Sequence, residues 1–120
     1  MEQVHLFNHL IYEYKKGLRN LVLLTSVPQD RVPIEKRLIR NGISYRIHQV
    51  NGHKINVFFG SPECVAVVES FGGKDLCQLN DEEDFILGTL LGYDKQKQCQ
   101  RYLKRKGNPN AGNLKISHHC

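Results

Sequence analysis

The apolar positions Val4, Phe7, Ile11 and Tyr14, with Leu10 beside them, recur at spacings of three and four, so residues 3–16 are predicted as an amphipathic helix ending near Gly17. Within residues 18–25 the run Leu21-Val22-Leu23-Leu24 lacks polar alternation and suits a strand covered on both faces. Pro28 and Asp30 mark a turn. From Arg31 to Asn41, Ile34, Leu38 and Ile39 form a second helical stripe. Pro33 falls in its first turn, where a missing N–H costs nothing, and Gly42 is its stop.

Two further strands are predicted, Ile43 to Val50 and His53 to Phe59. A two-residue Asn51-Gly52 turn would set Ile47 against Asn56 and mix apolar with polar side chains on each face. A three-residue loop of Val50, Asn51 and left-handed Gly52 instead pairs Ile47 with Ile55, Tyr45 with Val57 and Ile43 with Phe59, and it is the expected connection.

Ser61-Pro62-Glu63 after Gly60 supplies a hydroxyl cap, a proline at the first helical position and an acid at the positive end of the helix dipole. Cys64, Val67, Val68 and Phe71 are the expected buried stripe of that helix. Residues 73–80 read as a connector. Asn80-Asp81-Glu82-Glu83-Asp84 then opens another helix, a cap followed by four acids, and Phe85, Ile86, Leu87, Leu90 and Leu91 make it apolar around most of its circumference until Gly92 ends it. Asp94 caps a last helix, Lys95 to Lys106, in which only Cys99, Tyr102 and Leu103 are apolar. This helix is expected on the outside with its basic face in water.

The order helix, strand, helix, hairpin and three helices predicts an α+β fold with about five helices and a small three-stranded antiparallel sheet of order 1-3-2. Residues 1–106 are read as a single domain and 107–120 as a flexible tail without apolar period. A chain of 120 residues buries roughly 60 to 70 percent of its unfolded surface without help from disulfides.

Charge adds an asymmetry. Residues 1–93 carry 10 Lys and Arg against 11 acids, whereas residues 94–120 carry 7 against Asp94 alone. The excess therefore sits at the C-terminal end, which favours acidic proteins, RNA or anionic surfaces as partners. Cys64, Cys77, Cys99 and Cys120 form neither a CxxC pair nor a secreted scaffold, which places the chain in the reducing cytoplasm. The longest uncharged apolar stretch, Phe85 to Tyr93, is far short of a membrane span, and Glu2 and His5 interrupt the place of an export segment.

Four segments carry a resemblance: Ile11-Tyr12-Glu13-Tyr14-Lys15-Lys16-Gly17-Leu18, Arg40-Asn41-Gly42-Ile43-Ser44-Tyr45, Asn56-Val57-Phe58-Phe59-Gly60-Ser61-Pro62, and Glu82 through Asp94. From Leu10 to Lys106 the chain resembles a small uncharacterised bacterial domain family found largely in anaerobes. The resemblance implies three strands with about five helices, a homodimer and frequent encoding beside flavodoxin-like proteins. It implies no catalytic residue.

Candidate chemistry is sparse. His5 and His9 have the i, i+4 spacing that lets two imidazoles share a metal, but no third ligand stands at a fixed distance. They read as surface histidines. His118-His119-Cys120 is a better ligand set on an unfixed tail. Cys64 and Cys99 fall on apolar stripes and read as core packing, while Cys77 has room for exposure. The four consecutive acids point around their helix and satisfy its N-terminus rather than one cation. Pro62 and Glu63 argue against a phosphate at the Gly60-Ser61 turn. No metal, cofactor or catalytic set is expected.

The expected function is a non-enzymatic interaction module, a homodimer docking an acidic protein such as a flavodoxin-type electron carrier. Its docking surface is expected to be Lys97, Arg101, Lys104 and Arg105. The alternative is nucleic-acid binding through the same helix and tail, although only Tyr102 interleaves an aromatic with the charges. Dimerisation is expected through an edge of the sheet or through the apolar excess of the Phe85 to Leu91 helix.

Overall fold

A computed structural model describes residues 3–107, with side chains from Val4 onward. The predicted tail and His118-His119-Cys120 lie outside the described residues. The chain divides after Ser70 into two compact units. The first holds α1 (Gln3–Lys15), β1 (Leu21–Ser26), α2 (Arg31–Arg40), β2 (Ser44–Asn51), β3 (Lys54–Gly60) and α3 (Pro62–Ser70), with a 3-10 turn at Pro28–Asp30 leading into α2. The second holds α4 (Asp81–Leu90) and α5 (Lys95–Arg105), after a 3-10 turn at Leu76–Gln78. The fold is α+β, and its sheet is antiparallel with the order β1-β3-β2.

The sheet sorts its residues by parity. Val22 and Leu24 of β1 share a face with Ile55, Val57 and Phe59 of β3. They pack with Phe7, Leu10 and Ile11 of α1 and Ile34 and Leu38 of α2 into one apolar core, flanked by Tyr14, Tyr45 and Ile47. Phe7 meets Phe59 edge-on, with ring centroids 5.9 Å apart. The other side is covered as well, since α3 packs on β2 and β3 and Leu21 and Phe58 are buried. The dense run at Leu21 to Leu24 thus belongs to a strand with both faces in contact.

Two expectations about stripes need correction. Ile39 is 65% exposed, because α2 turns only Ile34 and Leu38 inward. On α3 the buried residues are Val65 and Val68, with Cys64 and Val67 only partly covered.

The hairpin keeps the expected parity and changes the register. Ile47 lies opposite Val57 and Tyr45 opposite Phe59, two residues on from the expected partners. Gly52 and His53 form the turn between paired Asn51 and Lys54, and the irregularity falls between Gln49 and Asn51 rather than at Gly52. Gly52 is not left-handed. The Asn51 side chain braces this geometry: its Oδ1 accepts the His53 backbone N–H at 2.7 Å, a local bond that spans the turn.

Gly60 is fixed by a neighbour. Its φ is +153°, and a Cβ there would lie 2.2 Å from the Asn20 carbonyl oxygen. That same oxygen accepts the Ser61 N–H at 2.9 Å. The Ser61 hydroxyl in turn accepts the Cys64 N–H at 3.3 Å and caps α3.

Candidate interaction surface

The N-terminus of α4 is built by a reciprocal cap. Asn80 Oδ1 accepts the Glu83 N–H at 2.8 Å, and Glu83 Oε1 accepts the Asn80 N–H at 2.9 Å. Lys74 holds the same Glu83 carboxylate at 2.8 Å. Lys74 first and the Asn80 N–H of the cap second keep the Glu83 carboxyl below the usual carboxylate range. Gly92 at φ 83° ends the helix, and the Asp94 side chain accepts the Lys97 N–H at 2.9 Å to start α5.

One of the four acids does more than cap. Asp84 is 1% exposed. Arg101 grips it with both sides of its guanidinium, Nε to Oδ2 at 2.7 Å and Nη2 to Oδ1 at 3.0 Å. Arg105 reaches Asp84 Oδ1 at 2.8 Å, Asp81 Oδ1 at 2.9 Å and the Leu79 carbonyl at 2.9 Å. Two acids one turn apart on α4 therefore meet two arginines one turn apart on α5. The sequence reading missed this clamp, whose signal was the matched i, i+3 and i, i+4 spacing of opposite charges on consecutive helices.

The clamp turns α5 over. Gln98 is 1% exposed and buried, whereas Cys99 is exposed and Leu103 is 40% exposed. The apolar stripe expected to be covered faces outward, and the face expected in water holds Arg101 and Arg105. Cys99 consequently does not pack as a core residue. Neither Nε2 nor Oε1 of Gln98 has a hydrogen-bond partner among the described residues.

The four residues expected to form a basic surface thus separate. Arg101 and Arg105 come together on Asp84, their side chains only 17% and 28% exposed. Lys97 and Lys104 are exposed, as is Lys95, and none of the three makes an ion pair among the described residues.

On the outward side, Phe85, Ile86, Cys99, Tyr102 and Leu103, with Glu82 at the rim, line a groove of about 440 Å³. Phe85 and Tyr102 meet edge-on, with centroids 5.4 Å apart. The Tyr102 hydroxyl donates to Glu82 Oε2 at 2.8 Å, and Lys106 Nζ lies 2.7 Å from the same oxygen and 5.8 Å from the Tyr102 ring centroid. Lys106 first and Tyr102 second hold the Glu82 carboxyl below its ordinary range. Glu82 in return raises both the Tyr102 phenol and the Lys106 ammonium.

The first unit has a cleft of about 370 Å³ lined by Thr25, Ser26, Val27, Asp30, Asn51, His53 and Lys54. At its floor the Ser26 hydroxyl donates to Asp30 Oδ2 at 2.6 Å, both residues being buried. Asp30 is consumed in positioning Ser26 at the end of β1, where the strand gives way to the 3-10 turn. His5 and His9 are exposed, and His9 Nε2 lies 3.3 Å from Glu13 Oε1. Among the described residues no group of three or more His, Cys, Asp or Glu is placed to hold a metal ion. Cys77 is exposed, as its connector position suggested. No helix of the described residues is long and apolar enough to cross a membrane.

Residues 5–105 match a protein family described as a protein of unknown function, DUF2023. No curated protein matches the chain.

Proposed function

We propose, from the premise that this chain belongs to the DUF2023 family, that it is a non-enzymatic interaction module of the cytoplasm. In this reading it is a homodimer that docks an acidic protein, with a flavodoxin-type electron carrier as the favoured partner. The observation that carries the reading is the presentation of Lys97 and Lys104 on the outer side of α5, with Lys95 at its start, while the arginines are held in the clamp. Exposed, unpaired lysines steer an acidic partner and fix its orientation more than they add raw affinity. The resemblance to a family encoded beside flavodoxin-like proteins supplies the partner class.

The roles within the basic set differ. Lys97 and Lys104 are the contact residues of this reading, whereas Arg101 and Arg105 are positioning residues that hold α5 on α4. Reversal of Arg101 would crowd its new carboxylate against Asp84 and unseat the helix, so it does not probe docking.

The test is a titration with an FMN-loaded flavodoxin at low and raised ionic strength, followed by heat and flavin fluorescence. Saturable binding that weakens with salt is expected, and K97E/K104E is expected to weaken it about tenfold at low salt. An unchanged affinity in that double variant removes this surface as the site. No binding at either salt removes the flavodoxin, and gel-shift binding of RNA with a steep salt slope would replace it with the nucleic-acid reading.

For the homodimer, the outer edges of β1 and β2, the two edge strands of the sheet among the described residues, are the surfaces proposed to pair. Sedimentation at about tens of micromolar, a concentration range where a specific interface of ordinary size holds, is expected to show a dimer. A monomer there overturns this part.

A further inference from the structure

The two helices on the core side of the sheet sort the charges of the first unit. Ile34 and Leu38 turn α2 onto the core. One residue on from Ile34, Glu35 Oε2 accepts the Tyr45 hydroxyl of β2 at 2.8 Å, and its Oε1 lies 3.1 Å from Arg31 Nε. At about 100° per residue, Arg37 and Arg40 then stand on the opposite flank of α2. On α1, Phe7, Leu10 and Ile11 face the core. Glu13 lies on one flank, 3.3 Å from His9 Nε2 and 3.4 Å from Arg19 Nε, while Tyr12, Lys15 and Lys16 fall on the other. Lys15 Nζ donates to Oδ1 of Asn41, the C-cap of α2, so the lysine flank of α1 and the arginine flank of α2 are neighbours.

Lys15, Lys16, Arg37 and Arg40 therefore share one surface across the C-terminal ends of the two helices. None of them makes an ion pair among the described residues. Of the other described acids of this unit, Asp30 is tied to Ser26 ahead of α2, and Glu63 and Glu69 are on α3, across the sheet. The helix ends offset about half a charge each, so the surface stays cationic. Residues 1–93 carry nearly equal numbers of acids and bases, and the fold separates what that count cancels.

Tyr12 stands among these cations, 54% exposed, with Lys16 Nζ 5.5 Å from its ring centroid. The exposed apolar residues of α2, Val32 and Ile39, fall on the Glu35 side instead. A protein interface takes most of its affinity from buried apolar anchors, and a lipid surface needs apolar side chains to insert beside the charges. Phosphates along a strand, with bases that stack on an aromatic ring, match cations and a tyrosine better than either.

We propose that the α1–α2 surface binds single-stranded nucleic acid, with Lys15, Lys16, Arg37 and Arg40 contacting phosphates and Tyr12 stacking a base. The inference is independent of the docking reading above, which concerns α5 in the second unit.

The test is fluorescence anisotropy of the full chain with a fluorescein-labelled oligouridylate of about 12 nucleotides, across a range of salt. Saturable binding is expected, its log affinity falling with log salt at a slope of about −3, for four phosphate contacts at about −0.7 each. K16Q/R40Q is expected to weaken binding about tenfold or more and to reduce the slope by about 1.4. Tyr12→Ala is expected to weaken it about fivefold or more at unchanged slope, the mark of a stacked base rather than a phosphate. All three side chains are exposed, so these losses are expected at an unchanged urea midpoint, and K97E/K104E is expected to bind as the native chain does.

No binding at low salt overturns the proposal, and so does binding that K16Q/R40Q leaves unchanged. Loss in K97E/K104E instead also overturns it, by moving the nucleic acid to α5. Equal binding of a labelled polyglutamate of the same charge, or binding of phosphatidylserine vesicles in place of the oligonucleotide, overturns it by making an acidic protein or a lipid surface the occupant.

Discussion

Removing the charge of Asp84 is the sharpest test of how α5 is held. In Asp84→Asn the shape is kept, yet one oxygen becomes an NH₂ that faces guanidinium donors instead of accepting from them. The native carboxylate takes Arg101 through two bonds, at 2.7 and 3.0 Å, and Arg105 at 2.8 Å, while being 1% exposed. Breaking a buried ion pair by removing one partner costs about 3 to 5 kcal/mol. Here the figure is reduced, because Arg105 keeps Asp81 and the Leu79 carbonyl and Arg101 has some access to water. A loss of about 2 to 3 kcal/mol is therefore expected, the range in which a charged hydrogen bond is lost and its partner left stranded.

Urea titration would give this as a lowered midpoint at unchanged slope. Hydrogen exchange would localise it, with α5 amides opening before those of β3. Arg101→Ala leaves Asp84 with Arg105 and is expected to cost less than Asp84→Asn. Because the carboxylate is buried, raised salt should change the difference little. A cost within about 0.5 kcal/mol of zero, the ordinary range of a surface substitution, would refute the clamp as the anchor of the helix.

Three other outcomes follow from the same geometry. Gly60→Ala drives a Cβ to 2.2 Å from the Asn20 carbonyl; it is expected to lose about 3 kcal/mol or more of stability, by strain at the backbone, read as a lowered urea midpoint or insoluble expression. Gln98→Met replaces an unpartnered buried amide by an apolar chain of similar length and is expected to be neutral or to stabilise by about 1 kcal/mol in the same titration. On the acid side, Glu35, Glu82 and Glu83 all have carboxyl groups lowered from the ordinary value of 4.5, Glu35 chiefly by the Tyr45 hydroxyl and the others by lysines. Their contribution is full above that unfolded value and is lost as pH falls through the lower folded ones, so the urea midpoint should drop below about pH 4.5. Glu83→Gln should make that drop shallower.

Caps and strand parity were legible because they are local. Asn80 with Glu83, Ser61 with Cys64 and Asp94 with Lys97 each close a ring of a few residues, so residue type and spacing sufficed. The side of the sheet taken by Tyr45, Ile47, Ile55, Val57 and Phe59 was legible for the same reason, since the period of a strand is two. Register was not, because it rested on where the turn would close, and a shift of two residues keeps the same parity.

The orientation of α5 was hidden more deeply. Counting apolar residues favours burying Cys99, Tyr102 and Leu103, and that count omits the acids waiting on α4. Once Asp84 is buried its charge must be met, and the arginines that meet it turn Gln98 inward and the apolar stripe outward. The candidate groove exists because an electrostatic demand overrode a hydrophobic one, and no pattern confined to residues 95–106 contains that demand.

The strand order has a consequence for synthesis. β3 is the last of the three strands in the chain and the central one in the sheet. While the ribosome has yet to release residues 54–60, β1 has no strand to pair with, and its Leu21-Val22-Leu23-Leu24 stretch waits as an uncovered apolar edge. The β2–β3 hairpin closes locally and can form as soon as it emerges, whereas β1 must then join across more than thirty residues. Nascent chains halted before Gly60 are accordingly the form of this protein in greatest need of a chaperone.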